Sequence, residues 1–342
     1  MNADLLARGR VVLIGAVHEA EPALGALLAL GVRLAGVVTP PSERAGPMSG
    51  YVDLARLVAG SDVPVLRATD VNDPACVERI RRLRPDVIVV VGWSRLIGAP
   101  LLAVPARGCV GFHASLLPHG RGRAPVNWAI IRGEPVTGNT MMLLAPGADT
   151  GAVLGQRRVP IGPDDTCADV YDAVGRAGAR LLAEQLPRLL AGTARPVPQP
   201  EAGATYLPRR TPDMGVTDWH RPAAALHDWI RAQTAPYPGA FTSRAGRRVM
   251  LWSSVAPRPH DPAGPPGTVL AADAAGLRVA TAGGSLLVTA AGDQGGPAEP
   301  AGAWFRRQGW APGDVLDRVD PAVSRWALGL APRPVPVAGA VR

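Results

Sequence analysis

Residues 108–122 place a single histidine, His113, where an apolar run ends and a loop rich in glycine and arginine begins. Imidazole gains and loses a proton near neutral pH, so a histidine at the end of a strand can act as an acid or a base toward a ligand. The same position also suits a structural histidine held by hydrogen bonds. His113 alone therefore indicates a catalytic candidate and leaves the structural alternative open.

A second candidate, Asp149, lies in the segment Ala-Pro-Gly-Ala-Asp-Thr-Gly at residues 145–151, after an apolar run at 140–144. An aspartate between small residues is a common turn former. Brought close to His113, its carboxylate would orient the imidazole and favour the protonated ring. Ser115 is the hydroxyl candidate nearby, but it lacks the Gly-x-Ser-x-Gly elbow of a nucleophilic serine. The pair therefore points to proton transfer.

The elements that must position these residues alternate between strand and helix. Apolar runs predict strands at 10–17, 32–38, 63–66, 86–91 and 109–112, and helical spacing predicts helices at 19–30, 51–58, 73–83 and 168–190. Such alternation is typical of an α/β domain whose parallel sheet is covered on both faces, with ligands at the carboxyl ends of the strands. Residues 92–97 and 113–118 fall at such ends. The first strand leads into Gly-Ala-Val-His-Glu-Ala, which is no Gly-x-Gly-x-x-Gly loop and disfavours a dinucleotide cofactor.

The pattern changes after residue 204. A helix is predicted at 222–234, followed by short runs at 240–243, 247–254, 267–271, 277–281 and 285–290 that Gly, Asp and Pro separate. Many short strands with turn signals indicate a small barrel-like β domain. We therefore predict a catalytic domain at residues 1–200, a C-terminal barrel-like domain at 201–320 and a loose tail at 321–342.

The composition of the 342-residue chain, with 47% hydrophobic and 19% charged residues, favours a soluble, cytoplasmic protein. No apolar run reaches the roughly 18 residues of a membrane span. The formal charge of +8 comes from arginine without lysine and without a long basic block, which disfavours nucleic-acid binding. The three cysteines form no Cys-x-x-Cys pair and the histidines no metal-ligand motif, so we expect neither disulfides nor a metal.

Several motifs stand together along this chain. His-Ala-Ser-Leu-Leu-Pro at 113–118 and Ala-Asp-Thr-Gly at 148–151 are joined by 121–125, 127–128, 137–138, 209–213, 219–220, 237–241 and 251–254. As a set they resemble the 10-formyltetrahydrofolate-dependent formyltransferase family, over residues 10–295. The later motifs are similar especially to the UDP-4-amino-4-deoxy-L-arabinose formyltransferase and methionyl-tRNA formyltransferase branches.

The resemblance implies a Rossmann-like catalytic domain with a parallel-rich sheet, an OB-like C-terminal domain, and transfer of a formyl group from 10-formyltetrahydrofolate to a primary amine. It implies that His113 handles the proton and that Asp149 supports its protonated form, help worth about 10² to 10⁴ in rate. Arg121 is either a contact to the substrate or a solvated loop arginine, and a homodimer is an open alternative. The positions that match folate-contacting segments are Arg95, Leu96, Ile97, Arg123, Ala145, Pro146, Gly147, Ala148 and Asp149.

One position departs from the family pattern. The family has Asn-x-His, where the asparagine donates to the oxygen that becomes negative, and this chain has Gly111 in its place. Removing one such donor typically costs about 10² to 10³ in turnover. Another group could replace the asparagine, the scaffold could perform a different acyl or one-carbon transfer, or the protein could be a non-catalytic folate- or partner-binding paralogue. Retention of His113 and Asp149 disfavours the third interpretation.

The acceptor is not fixed by these motifs. Methionyl-tRNA would suit the positive charge, yet residues 39–51 hold only Arg44 where a tRNA-gripping loop needs several cations. A small-molecule amine, either an amino-sugar nucleotide or an amine of specialised metabolism, is therefore the favoured acceptor, and methionyl-tRNA is the alternative.

Overall fold

The chain divides into two units. The computed structural model describes residues 3–44, 48–93, 95–258 and 260–334. Unit 1 comprises Met1–Val126, Val136–Pro160 and Asp169–Leu207, and unit 2 comprises Asn127–Pro135, Ile161–Ala168 and Pro208–Arg342. Unit 2 thus takes two short segments from the region that the sequence assigned to the first domain, and the main division falls after residue 207 instead of 200.

A mixed sheet runs through unit 1. Its strands are β1 (Arg10–Gly15), β2 (Arg33–Thr39), β3 (Val65–Arg67), β4 (Val87–Val91), β5 (Cys109–His113), β7 (Val136–Leu143) and β8 (Val153–Pro160), while β6 (Arg121–Gly122) lies outside it. The order is β3–β2–β1–β4–β5–β7–β8, with β1 to β5 parallel and with β7 and β8 antiparallel to their neighbours. The parallel-rich α/β class is therefore confirmed, and β8 is a strand that the sequence analysis did not predict.

Helices cover both faces of this sheet. They are α1 (Ala3–Arg8), α2 (Ala20–Ala29), α3 (Leu54–Leu57), α4 (Pro74–Arg82), α5 (Ala99–Leu102) and α7 (Cys167–Leu190). A further helix, α6 (Pro125–Ile131), precedes β7, and α6 and α7 each begin in one unit and end in the other. One apolar layer includes Leu24 of α2 and Leu182 of α7, and the other includes Ile80 of α4 and Leu101 of α5. The continuous apolar strands β1 and β4 are buried because each contributes to both layers.

A short parallel pair lies beside the sheet in unit 1. β6 pairs with β9 (Tyr206–Leu207), so that Arg121 is opposite Tyr206 and Gly122 is opposite Leu207. Gly122 has φ 109°, and a Cβ there would collide with the carbonyl oxygen of Leu207. Only glycine lets these two backbones approach so closely.

Unit 2 holds an antiparallel sheet, as predicted for the C-terminal domain. Its elements are α8 (Ala223–Arg231), β10 (Ala240–Arg244), β11 (Arg247–Val255), β12 (Val269–Asp273), β13 (Gly276–Thr281), β14 (Gly284–Gly292), β15 (Glu299–Pro300), α9 (Ala301–Arg307) and α10 (Pro321–Ala327). The order is β10–β11–β14–β13–β12, with β15 on β14. Trp304 and Phe305 of α9 are fully buried and pack edge-to-face with Trp310.

The end of the chain is more regular than the sequence suggests. The tail predicted to be loose from residue 321 opens with α10, where the Asp320 carboxylate accepts a hydrogen bond from the Ala322 N–H and caps the helix. Residues 335–342 of that tail, and residues 45–47 of the segment compared with a tRNA-gripping loop, lie outside the described residues. Among the described helices, none is both long and apolar enough to cross a bilayer.

Candidate active site

His113 ends β5, between β4 and β7, and its side chain is buried. Its Nε2 lies 2.7 Å from the carbonyl oxygen of Gly120. Because a carbonyl can only accept, Nε2 must carry a proton in this arrangement. The other ring nitrogen, Nδ1, is therefore the atom whose protonation can change.

Asp149 lies in the turn between β7 and β8 and faces that second nitrogen. Its Oδ1 is 3.5 Å from His113 Nδ1, and its Oδ2 accepts a hydrogen bond of 2.9 Å from the N–H of Gly122. With Nε2–H directed at Gly120, only the doubly protonated ring can also present a proton to this carboxylate. The two residues that the sequence singled out are thus brought together as an ion pair that an imidazolium satisfies.

Gly111 lies in β5 opposite Met142 of β7 and beside Val90 of β4. A Cβ at Gly111 would be 2.5 Å from Cδ2 of Leu144, which packs against the apolar layer that contains Cys109. The space that a longer side chain would need is therefore taken by the end of a leucine. No side-chain donor can come from position 111.

Two other groups near His113 are unsuited to nucleophilic catalysis. The hydroxyl of Ser115 donates to the carbonyl oxygen of His119 at 2.7 Å, so it is committed to the loop that follows β5. Burial raises the pKa of the Cys109 thiol to about 12, which keeps it protonated near neutral pH. The arrangement supports proton handling by His113 and offers no activated hydroxyl or thiolate at these two positions.

The side chain of Arg121, which the sequence analysis considered as a substrate contact, is buried within unit 1. Its side chain has no exposed surface, and its guanidinium donates to Gln199, Glu201 and Tyr206. The hydrogen bond with Glu201 is the largest cause that raises the pKa of Arg121. Arg121 is therefore not a solvated loop arginine, and a contact with the substrate stays a prediction.

The segments matched to folate contacts lie after β4 and in the β7–β8 turn. The guanidinium of Arg95 pairs with Asp70 at 2.7 Å, Ile97 is buried in the core, and Leu96 leaves 58% of its surface exposed. In the turn, Pro146, Gly147 and Ala148 are exposed and Ala145 is partly buried. The N–H of Arg123 donates to the carbonyl oxygen of Leu207, which fixes the backbone at that position.

The residues after β4 combine a buried polar atom with an exposed apolar side chain. Trp93 packs against an apolar layer of the core, and its buried indole N–H has no partner among the described residues. Leu96, three positions later, is exposed. A role of this segment in folate binding stays a prediction.

Sequence reasoning missed three residues that bind the Arg121 guanidinium. Gln199, Glu201 and Tyr206 follow α7 in a stretch where prolines interrupt regular structure, and they carry no helical or strand periodicity. None of the motifs that resemble the family falls in this stretch. Their part emerges only from contacts in the fold, with Arg121 and, for Gln199, also with the carbonyl oxygen of Asp149.

Comparison with known proteins identifies the family. Residues 33–186 match the sequence model described as formyl transferase, and residues 210–309 match that of the formyl transferase C-terminal domain. A methionyl-tRNA formyltransferase from Moorella thermoacetica is 37% identical over 90% of this chain and 99% of its own length. The chain belongs to the formyltransferase family.

Further relatives of this formyltransferase agree in sequence or in fold. A methionyl-tRNA formyltransferase from Pelobacter propionicus is 40% identical over 81% of this chain and 86% of its own length. Aquifex aeolicus HypX, solved in complex with tetrahydrofolic acid, gives a TM-score of 0.65 at 19% identity over 91% of this chain, which spans about half of HypX (49%). An N-formyltransferase from Helicobacter canadensis, solved with folinic acid and dTDP-3-aminofucose, gives 0.62 at 16% identity over 82% of this chain and 98% of its own.

The family assignment sets the reaction. This formyltransferase is an enzyme whose formyl donor is 10-formyltetrahydrofolate. The two solved neighbours are 19% and 16% identical to this chain, and this similarity shows a shared fold.

Proposed function

We propose that this formyltransferase acts in the cytoplasm and moves a formyl group from 10-formyltetrahydrofolate to a primary amine of a small molecule, either an amino-sugar nucleotide or an amine of specialised metabolism. The donor supplies the formyl carbon, which bonds to the amine nitrogen as the bond to N10 breaks, and one amine proton ends on N10. The observation that carries the proposal is the distance of 3.5 Å between Nδ1 of the buried His113 and Oδ1 of the partly buried Asp149.

In this proposal His113 handles the proton at Nδ1. Its Nε2–H remains on the Gly120 carbonyl, so the ring is held in one orientation while Nδ1 gains or loses a proton. Asp149 compensates the positive charge of the ring, and its own second oxygen is held by the Gly122 N–H. The pair thus acts as an acid and base of fixed geometry.

The preference for a small acceptor rests on the arginines of unit 2. Many of them are within ion-pair distance of a carboxylate, and binding a polynucleotide backbone needs cations that are free to meet phosphates. The pairs are Arg244–Asp314, Arg247–Asp293, Arg248–Asp213, Arg278–Asp261, Arg307–Glu299 and Arg333–Asp213. Each of these six arginines has a carboxylate within 4 Å, with Asp213 shared by Arg248 and Arg333.

Methionyl-tRNA is the second candidate acceptor. It is favoured by the 37% identity to the Moorella thermoacetica methionyl-tRNA formyltransferase over 99% of that protein. Assays with methionyl-tRNA and with a panel of amines and amino-sugar nucleotides distinguish the two. We expect tetrahydrofolate release and a mass gain of one formyl group only with a small amine; product on methionyl-tRNA at comparable kcat/KM would favour the second candidate.

The roles of His113 and Asp149 are tested by His113→Gln and Asp149→Asn. We expect each to lower kcat by about 10² to 10⁴, because general acid–base help is lost. The exposed His260 in unit 2 provides the matched control, and His260→Gln should leave kcat unchanged. Unchanged turnover in both site variants would show that His113 and Asp149 do not act as the proposed acid–base pair.

Position 111 decides between a formyltransferase that lacks one donor and a repurposed scaffold. Gly111→Asn needs room that Leu144 occupies, so the informative variant is the double one, Gly111→Asn with Leu144→Ala. A weakened formyltransferase should gain up to about 10² in kcat when a donor returns. Loss of the native turnover in that variant, with product from another acyl or one-carbon donor in the parent enzyme, would favour a repurposed pocket. Binding of the donor without turnover on any amine would indicate a non-catalytic paralogue.

A further inference from the structure

We infer that Gln199 and Arg121 are positioning residues that hold Asp149 against His113. The inference rests on the proposed role of that pair, and it concerns residues that do not touch the reacting atoms. It begins with the backbone of Asp149, whose φ of 54° is in the left-handed region. A residue with a side chain adopts this conformation at an energetic cost, so its surroundings must hold it there.

Gln199 supplies the first restraint. Its Nε2 donates to the carbonyl oxygen of Asp149 at 2.8 Å and to that of Gly151 at 2.7 Å. Both amide hydrogens are thereby used on the turn that carries the carboxylate. Release of these bonds would free the Asp149 backbone while leaving the carboxylate itself intact.

Arg121 fixes the orientation of the Gln199 amide. Its Nε and Nη2 donate to Oε1 of Gln199 at 3.2 and 3.1 Å. A reversed amide would place its NH₂ against the guanidinium, so Arg121 ensures that the donors face Asp149. The guanidinium is anchored in turn through Nη1, which donates to the Glu201 carboxylate and to the Tyr206 hydroxyl at 2.8 Å.

The residues on either side of Arg121 contact the pair directly. The Gly120 carbonyl accepts the proton on His113 Nε2, and the Gly122 N–H donates to Asp149 Oδ2. The segment 120–122 is fixed because Gly120 N–H donates to Thr205 Oγ1, Arg121 N–H donates to the Thr205 carbonyl, and β6 pairs with β9. One three-residue segment therefore sets the positions of both ring and carboxylate.

The segment that follows α7 is tied to the sheet by an isolated bridge. Val197 and Val153 exchange two backbone hydrogen bonds of 2.8 Å, which place Gln199 alongside the start of β8. The restraint on Asp149 therefore runs from β8 through Gln199 and Arg121 to β9. Its function is geometric, and it should affect kcat more than substrate binding.

The first test is Gln199→Met, which keeps the length of the side chain and removes its hydrogen bonds. We expect kcat to fall about 10- to 100-fold, since small misplacement of a catalytic group costs about this much, while KM for donor and acceptor stays within about threefold. Gln308→Met is the matched control, because Gln308 Oε1 likewise accepts from an arginine, Arg247, in unit 2. It should leave kcat unchanged. Arg121→Lys should retain more turnover than Arg121→Met.

A double-variant cycle separates positioning from general structural damage. In the Asp149→Asn background, Gln199→Met should add less than about a twofold further loss, because the group that it positions no longer acts. Equal losses in both backgrounds, or a kcat within twofold of the parent enzyme in the single variant, would overturn the inference.

A spectroscopic readout keeps this inference distinct from the proposed function. The ¹⁵N resonances of the His113 ring report its contact with Asp149 in the free enzyme, and we expect Gln199→Met to shift them where Gln308→Met does not. Unshifted resonances would contradict positioning by Gln199. Shifted resonances in an enzyme whose His113→Gln and Asp149→Asn variants retain turnover would uphold the positioning and remove the proposed catalytic role.

Discussion

Two arginines, the fully buried Arg121 in unit 1 and the partly buried Arg210 in unit 2, are stabilised in opposite ways. Arg121 meets a carboxylate and a phenol, and its pKa is raised, mainly by the hydrogen bond with Glu201. Arg210 lies over the rings of Trp128 and Trp229, at 4.7 and 5.0 Å from their centroids, and burial lowers its pKa to about 10. The former arrangement fixes the direction of hydrogen bonds, whereas the latter fills a core.

The two arginines therefore have different roles in their units. Arg210 donates to the carbonyls of Met214 and Ala327 and to Oε1 of Gln233, so its donors tie three parts of unit 2 together around aromatic rings. Arg121 instead orients the Gln199 amide, which donates to the carbonyl oxygens of Asp149 and Gly151. We therefore expect loss of Arg210 to appear in stability and loss of Arg121 to appear in turnover.

The largest effect on stability is expected for Arg210→Leu. This substitution removes both cation–π contacts and leaves buried acceptors on Met214 and Gln233 unpaired. The free energy of unfolding should therefore fall by about 3 to 5 kcal/mol. Urea unfolding followed by tryptophan fluorescence measures this change. Arg333→Leu is the control, because Arg333 also lies over a tryptophan, Trp326, with a side chain that is 69% exposed. A similar cost for both variants would show that burial is not what makes Arg210 important.

Arg121→Leu should cost less stability, about 1 to 2 kcal/mol, because the Glu201 side chain is 75% exposed and regains water when its partner is lost. Its turnover should nevertheless fall by about 10²-fold, through displacement of Asp149. Urea unfolding and steady-state kinetics on the same preparation measure the two changes. A stability loss as large as that of Arg210→Leu, with kcat intact, would reverse the comparison.

Glu19 gives a third contrast, a partly buried carboxylate with one buried oxygen that no hydrogen bond compensates. Its Oε2 is buried without a hydrogen bond, His18 Nδ1 is 3.7 Å away, and burial raises the pKa of the Glu19 carboxyl. A raised folded-state pKa lowers stability as pH rises above the unfolded value. Glu19→Gln should therefore stabilise the protein by about 1 kcal/mol at pH 8, with the gain fading toward pH 4.

Urea titrations at the two pH values check the Glu19 prediction. The control is Glu21→Gln, because Glu21 is exposed and lies in the first turn of α2, for which Glu19 is the N-cap residue. A gain for Glu19→Gln that does not depend on pH would mean that the charge of Glu19 is not its cause.

The smallest effect is expected at the surface pair of Arg247 and Asp293. Both side chains are about half exposed, and their atoms are 2.7 Å apart. Arg247→Gln should change the unfolding free energy by at most about 0.5 kcal/mol, and the change should shrink in high salt. Chemical unfolding at low and high ionic strength provides the measurement. A larger loss of unfolding free energy that does not depend on salt would show that Arg247 stabilises the protein by more than a surface ion pair.

Local sequence patterns predicted the elements that bury a continuous apolar face. The runs at 86–91 and 109–112 correspond to β4 and β5, because fully buried parallel strands are apolar at nearly every position. β8 was missed since its buried and exposed residues alternate around Gly155 and the pair Arg157 and Arg158. The helix of α10 was missed because a Pro- and Ala-rich composition hides the cap at Asp320.

At the site, the sequence predicted the residue types and missed their supports. His113 and Asp149 belong to recognisable motifs, and the fold brings them together. Gln199 acts through a side chain that reaches across 48 positions to the Gly151 carbonyl, a distance that no local periodicity reports. For the same reason Arg121, with its charged side chain, looked suited to a ligand until its partners in the fold were known.

The leucine beside Gly111 also bears on inhibitor selectivity. A compound that relies on donation from the family asparagine finds only the methyl groups of Leu144 in this enzyme. Because the resemblance predicts an amide at this place in other formyltransferases, we expect an analogue with an apolar group there to prefer this enzyme.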